Sequence, residues 1–487
     1  MPAITLNFEV HQPLRLKHYP TGSEGLKDEE LFDHYINNGL NKFVFDRAAN
    51  KCYWPATKIL AELVDTFKGQ KKEFKFSFNF SGVWIEQCEK WHPDLLDLIK
   101  QLARSKRVEI LGSTYYHSLA SLFDDHSEFI EQIEMQTQLM KDLLGVKPKI
   151  FMNTEMIYNN LIAKTVEDLG FKAIFTEGTE KILGWRSPNY VYVRGLAQEK
   201  DAPLKNRIRV LLRNYRLSDD IGYRFSAKWW DQWPLTAEKY AIWLSATEGQ
   251  VINIFMDYET FGEHHPEESG IFWFLKALPW KIFEWENLEF LTPSEVVKKF
   301  EPVGEFDVPG WSAISWADME RDTSAWLGNS MQQMAFEELK KLEKPVKESG
   351  NKYLIRLWRL LLQSDHLYYM CTKWWNDGDV HKYFSPFSTP HDGFISLITA
   401  LSDIKLRVYA DRIKREVTKP RKEKVRKVLK KPKIQKRGVE RKIKPETQVS
   451  TKAQVVKELS DIEYLLKEEV TYPSIVIHDV EIEKLNK

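Results

Sequence analysis

Short apolar runs and longer helical patterns alternate through the first 260 residues. Seven runs read as strands: 4–11, 74–80, 107–112, 149–155, 172–177, 207–213 and 250–257, with 190–193 as a further short one. Each is apolar and partly β-branched, as a strand buried on both faces should be. Between them Thr57–Phe67, Pro93–Ser105, Ser127–Leu144 and Asn160–Leu169 place apolar residues at helical spacing. After Pro93, for example, Leu95, Leu96, Ile99, Leu102 and Ala103 share one face. This alternation predicts a parallel α/β sheet or barrel. Beyond residue 300 the pattern turns helical, with Trp326–Leu342, Tyr353–Trp375 and Phe394–Arg415 as the segments expected to be helices. Tyr472–His478 reads as a small strand. No internal repeat is visible.

Charge changes this picture at one place. The net charge is +1, yet residues 405–444 hold 19 Lys or Arg against 4 Asp or Glu, so an acidic body carries a basic segment. That segment has Tyr409 as its one aromatic residue and is interrupted by Pro420 and Pro432. It reads as a solvated linker or charged helix rather than a nucleic-acid contact. Cys52, Cys88 and Cys371 form no CxxC pair, which favours a reducing compartment. The first residues read as a strand without a basic, apolar leader, and no run reaches the roughly 18 apolar residues of a membrane span. The expectation is a cytoplasmic protein without a membrane segment. Its high charge and scarce cysteine lean towards a thermophile.

The chemistry gathers where strands end. Lys149-Ile-Phe-Met-Asn-Thr-Glu155 and Gln250-Val-Ile-Asn-Ile-Phe-Met-Asp257 each deliver a carboxylate at the point where an apolar run should stop. In a β/α barrel that place is the catalytic rim. Two carboxylates on one rim suit glycosidic bond chemistry. The competing reading is that each caps a helix or lies in a solvated loop. Asn153 and Thr154 stand ready to orient Glu155. Asp257 is the candidate acid and then base, with Tyr258 and Phe261 available to bury it and raise its pKa. Glu259 is its rival, two residues on.

Other strand ends supply polar and aromatic groups. His11-Gln12-Pro13 follows the first run, and Gly112-Ser-Thr-Tyr115-Tyr116-His117 the third. Tyr116 can stack on a pyranose or pack in the core. Arg213 to Arg224 carries Arg216, Asp219 and Asp220, which either pair with one another or hold Glu155 or a substrate hydroxyl. His264 and His265 follow the seventh run. Trp229, Trp230, Trp233, Trp374 and Trp375 form clusters able to line a glucan groove. Leu362-Gln-Ser364-Asp365-His366 interrupts an otherwise apolar late helix.

Taken in order, His-Gln-Pro, Gly-x-x-Tyr-Tyr-His, a strand ending in Glu, a strand ending in Asp, and a late Ser-Asp-His resemble glycoside hydrolase family 57 over roughly residues 4–405. The resemblance implies a seven-stranded (β/α)7 barrel followed by a C-terminal helical bundle that completes the active site, here with a basic C-terminal extension. The corresponding boundaries are 1–300 for the catalytic barrel, 301–405 for the helical domain, 406–450 for the basic linker or charged helix, and 451–487 for a small C-terminal segment. The resemblance also implies retaining cleavage or transfer at α-glycosidic bonds, commonly in α-1,4-glucans, with Glu155 as nucleophile and Asp257 as proton donor and base. His11, Gln12, Tyr116, His117, Arg224, Trp230, His264 and Asp365 are the candidate sugar-binding residues. Retention predicts a carboxyl separation near ~5–5.5 Å, inversion roughly 6.5–9.5 Å. The reading is α-amylase-like, with 4-α-glucanotransferase as the alternative and an α-glucan or maltooligosaccharide as the partner. It calls for no cofactor and no metal. Two other readings compete. His11, His117, Asp257, His264 and His265 would together bind a metal in a deacetylase- or mannosidase-like barrel, or the chain would be a non-catalytic glucan-binding protein. Oligomeric state is not legible.

Overall fold

A computed structural model describes residues 2–196, 203–373 and 385–418 of the chain. Its strands are β1 (Ala3–Val10), β2 (Phe76–Phe80), β3 (Val108–Leu111), β4 (Ile150–Met152), β5 (Ala173–Glu177), β6 (Val191–Arg194), β7 (Arg209–Arg213), β8 (Val251–Asp257), β9 (Glu289–Phe290) and β10 (Glu305–Phe306). The seven apolar runs and the short eighth are therefore all strands. The intervening helices form over Trp54–Thr66, Pro93–Arg104, Ser127–Leu144 and Asn160–Asp168, within a few residues of their expected ends. Local chemistry sets those ends. The Asn159 side chain accepts from the Ile162 N–H, and Gly145, at φ 69°, closes Ser127–Leu144 in the left-handed conformation glycine tolerates.

Pairing is mostly parallel. β1 lies between β8 and β2, and β2 pairs β3. A bridge from Gly112 to Phe151 carries the ladder to β4, β4 pairs β5, β5 pairs β7, and Arg213 meets Asn253 to join β7 to β8. β6 runs antiparallel to β7 and carries β10, while β9 pairs β1. Parallel direction puts the C-terminal ends of these strands on one side, which is what gathers Val10, Met152, Arg213 and Asp257.

Alternate residues serve different cores. On β1, Ile4, Leu6, Phe8 and Val10 pack with the helices. Ala3 faces the other way into a small cluster with Ile150, Met152, Phe175, Val251 and Phe255. Thr5, Asn7 and Glu9 share that face by periodicity. Buried polar groups must find partners, and Thr5 and Asn7 do. The Thr5 hydroxyl donates to Asn253 Oδ1 at 2.8 Å, Asn7 donates to Thr5 Oγ1 at 2.9 Å, and Ser77 donates to Asn7 Oδ1 at 2.5 Å. A polar column thus runs up the inner face towards Glu9.

The later helices differ from expectation in two ways. Trp326–Leu342 is two helices, Ser324–Leu327 and Ser330–Ser349, because Asn329 starts a new helix with a capping box closed by Gln332. Tyr353–Trp375 ends at Leu361 and restarts as Ser364–Tyr368. The break falls at Gln363, whose backbone is extended (φ −52°, ψ 134°). Its side chain is the reason: Oε1 accepts the Leu14 N–H at 2.9 Å, and Nε2 donates to Leu14 O at 3.3 Å and Leu360 O at 2.7 Å. The last described helix, Pro390–Thr418, runs past residue 405 into the start of the basic segment. Trp374, Trp375, the remainder of the basic segment and the candidate strand Tyr472–His478 lie outside the described residues. No described helix is long and apolar enough to cross a membrane.

Candidate active site

β4 ends at Met152, and the chain then turns sharply. Asn153 fixes the turn by donating to Ser121 Oγ at 2.9 Å and Ile157 O at 2.8 Å. Glu155 sits in this turn with a left-handed backbone (φ 57°), as does Met156 (φ 53°). Such conformations in side-chain-bearing residues are costly and persist where neighbours over-determine them. Here three donors converge on the Glu155 carboxylate. Trp316 Nε1 donates to Oε2 at 2.8 Å, Ser364 Oγ donates to Oε1 at 3.2 Å, and His117 Nε2 lies 3.3 Å from Oε1.

His117 stands between two carboxylates, with Nδ1 3.3 Å from Glu9 Oε1 and Nε2 facing Glu155. Burial pulls its pKa down, but Glu9 and Glu155 outweigh burial and raise it to about 9. His11 stacks on it at 4.0 Å between ring centroids, 20° from parallel. His11 Nδ1 contacts Ser81 Oγ at 2.7 Å and its Nε2 contacts Asp365 Oδ2 at 3.0 Å. Burial, reinforced by the neighbouring His117, lowers His11 to about 4, so its ring is neutral at pH 7. Burial works against the Asp365 charge, but His11 and His117 override it and hold its carboxyl well below the usual range.

Asp257 closes β8 directly opposite Glu9 of β1. Burial, then the negative charge of Glu155, raises its pKa to about 7, while Arg213 and His117 restrain the rise. Two carboxylates on one rim therefore have different surroundings. Glu155 is surrounded by donors, and Asp257 is raised until it titrates near neutral pH. Such a contrast suits a nucleophile and a general acid.

Glu259 leaves the strand and enters a short helical turn, so the shared strand face that made it a rival of Asp257 does not extend to it. Its Oε1 accepts from Tyr53 Oη and, at 3.4 Å, from Gln12 Nε2. Burial and Asp257 raise its pKa to about 8. Gln12, Glu259, His264 and Arg47 line a cleft of about 230 Å³ that neither Glu155 nor Asp257 lines.

The remaining expected residues lie elsewhere. Tyr116 is only 3% exposed and packs against Tyr115 in the core. Arg224 pairs with Asp220 at 2.7 Å and stacks over Trp230. Arg213 does not hold Glu155: it bonds Glu177 at 3.0 Å and Asp219 at 2.5 Å, and its guanidinium lies over the Trp316 ring. His265 is bound to Ser226 Oγ at 2.8 Å and the Gly222 carbonyl at 3.2 Å. Among the described residues no group of three His, Cys, Asp or Glu is arranged to hold a metal ion. Of the metal-site reading's residues, His11 faces Ser81 and Asp365, His117 faces Glu9 and Glu155, and His265 faces Ser226 and the Gly222 carbonyl.

Glu9 and Trp316 were not singled out from the sequence. Glu9 is a lone acidic residue in an apolar strand. The Thr5-x-Asn7-x-Glu9 alternation was its signal. Trp316 lies in an irregular loop, latched to the Glu155 turn by the Tyr158–Ile314 bridge, and nothing periodic marks it.

Comparison with known proteins agrees with this geometry. The sequence signature of Glycosyl hydrolase family 57 matches residues 5–309. A protein of Methanocaldococcus jannaschii that carries a provisional alpha-amylase name is 50% identical over 410 residues, 82% of this chain and 84% of that protein. Two solved structures share the fold. The 4-alpha-glucanotransferase of Thermococcus litoralis has a TM-score of 0.57 at 19% identity, over 75% of this chain and 56% of that one. The family 57 branching enzyme of Thermococcus kodakaraensis has a TM-score of 0.55 at 15% identity, over 85% of this chain and 95% of that one. The chain belongs to glycosyl hydrolase family 57 and is a glycoside hydrolase.

Proposed function

We propose that this enzyme cleaves α-1,4-glucans with retention, by double displacement. Glu155 attacks the anomeric carbon while Asp257 protonates the departing oxygen. Water then enters with Asp257 as base, the bond from carbon to Glu155 breaks, and the electron pair returns to the carboxylate. The observation that carries this reading is the opposed environment of the two rim carboxylates: three donors on Glu155, and burial plus Glu155's charge on Asp257. The closed circuit of parallel pairs β1-β2-β3-β4-β5-β7-β8 supports a (β/α)7 barrel as the frame. The helices from residue 324 onward act as the bundle that brings Ser364 and Asp365 to its rim. His11, His117 and Asp365 hold the catalytic pair or touch sugar, and Gln12 and His264 offer polar groups in the cleft they line. The alpha-amylase name of the 50%-identical relative favours hydrolysis over transfer.

The test follows maltoheptaose digestion by proton NMR beside Glu155→Ala. The α-anomer of the new reducing end should appear first, and Glu155→Ala should be inactive yet folded. An initial β-anomer, or substantial cleavage by Glu155→Ala, would refute the reading. Products longer than the substrate would assign the chain to glucanotransfer by the same two residues.

A further inference from the structure

Glu9 is 4% exposed, and its Oε2 has no hydrogen-bond partner among the described residues. A buried carboxylate without a cation is strongly disfavoured. The cation in ion-pair contact with it is His117, at 3.3 Å. The other nitrogen of that ring faces Glu155 at the same distance. His117 Nδ1 makes no hydrogen bond among the described residues, so its contact with Glu9 is an ion pair, while Nε2 carries the hydrogen bond to Glu155. A neutral ring protonated on Nε2 would turn a lone pair towards Glu9, whereas the imidazolium presents positive charge to both carboxylates. The ring has little freedom to turn away. His11 covers one of its faces, its own backbone is left-handed (φ 49°), and its carbonyl accepts the Ser364 N–H at 2.9 Å. Asp365, as acceptor, assigns the His11 proton to Nε2. His11 Nδ1 then accepts from Ser81, whose oxygen accepts the Trp84 N–H at 3.1 Å.

We propose that Glu9 is a positioning residue for the nucleophile, fixing His117 as an imidazolium whose Nε2–H is directed at Glu155 Oε1. The inference rests on Glu155 being the nucleophile. When the bond from Glu155 to the anomeric carbon forms, the Glu155 charge is consumed and Asp257 gives its proton to the leaving oxygen. Glu9 then remains as counter-ion, so the buried imidazolium is not stranded. When water attacks and passes its proton to Asp257, the electron pair of the breaking ester bond returns to Glu155, and the same N–H receives it. The effect therefore belongs to the chemical steps rather than to sugar binding.

The pH consequence follows from the groups that face this pair. Burial pushes the Glu9 carboxyl well above its usual range, His117 opposes that rise, and Glu155, Asp257 and Glu259 add to it; His117 is faced in turn by Glu9, Glu155, Asp365 and His11. Removing the charge of Glu9 withdraws an anion that keeps His117 protonated, so the alkaline limb of kcat/KM moves to lower pH.

The experiment compares Glu9→Gln and Glu9→Asp with the parent on maltoheptaose across pH, and reads His117 directly by NMR of histidine-labelled protein, its signal identified by its loss in His117→Gln. Glu9→Gln should lower kcat about 10- to 100-fold with KM within about 3-fold, shift the alkaline limb down, and lower the pH at which His117 titrates. Glu9→Asp should restore part of each. Wild-type kcat in Glu9→Gln, or a loss of kcat with an unchanged His117 titration, overturns the proposal. If Glu9→Gln does not fold, the parent titration decides: an imidazolium at pH 7 supports the proposal, and a neutral His117 overturns it. Failure of the nucleophile assignment reads differently, as cleavage retained by Glu155→Ala while His117 still titrates as described.

Discussion

A carboxylate that attacks an anomeric carbon must be charged, and the acid beside it must not be. At the scale of single residues, neighbours rather than unusual groups suit Glu155 and Asp257 to the proposed roles. Glu155 accepts from an indole, a hydroxyl and an imidazole on three separate segments. Burial, then the neighbouring Glu155 carboxylate, raises the pKa of Asp257 to about 7. The folded value of about 7 has a kinetic signature. With Asp257 as the proposed general acid, kcat/KM on maltoheptaose should fall on the alkaline side with an apparent pKa near 7. A pH profile checks this, and a flat profile through pH 9 contradicts it. Trp316 is the neutral donor among the three that substitution isolates most cleanly. Trp316→Phe keeps a ring of similar shape and removes the N–H. A hydrogen bond to a charged group contributes about 1.5–3 kcal/mol, so kcat/KM should drop roughly 10- to 100-fold. Steady-state kinetics with a parallel thermal melt separates that loss from unfolding.

At the scale of elements, the site depends on where strands stop and on one interrupted helix. Gln363 halts the helix at Leu361 by taking both backbone groups of Leu14, and this places Ser364 and Asp365 against Glu155 and His11. Gln363→Ala removes these bonds from a fully buried position. It should cost about 1–3 kcal/mol in urea unfolding and lower kcat as well, since Ser364 and Asp365 lose their anchor. Unchanged kcat would show that the break does not set the site. The strands were legible in advance because parallel strands buried on both faces read as continuous apolar runs, and a carboxylate at the end of such a run stands out. The same apolarity hid Glu9, whose meaning depends on pairing opposite Asp257 and on His117 arriving from another strand end. The helix break was hidden too, because Gln363 is a good helix former and its tertiary bonds override that preference. Sequence neighbourhood places Tyr116 and Arg224 among the candidate sugar contacts. The structure packs one into the core and pairs the other with Asp220.

At the scale of the whole molecule, the groups that form the site fall between Glu9 and Asp365, all within a compact unit spanning Met1–Lys419. A chain ended at Lys419 should therefore fold and keep kcat/KM within about twofold of the full chain. A large loss would tie residues 420–487 to catalysis. The central claim is that the molecule brings Glu155, from one strand end, to a sugar held beside Asp257, from another. The most direct measurement is to trap the intermediate with a 5-fluoro-α-glucosyl fluoride, digest the protein and locate the label by mass spectrometry. The account predicts one sugar ester-linked to Glu155. A label on Asp257 or Glu259, or turnover that never passes through a covalent adduct, would contradict it.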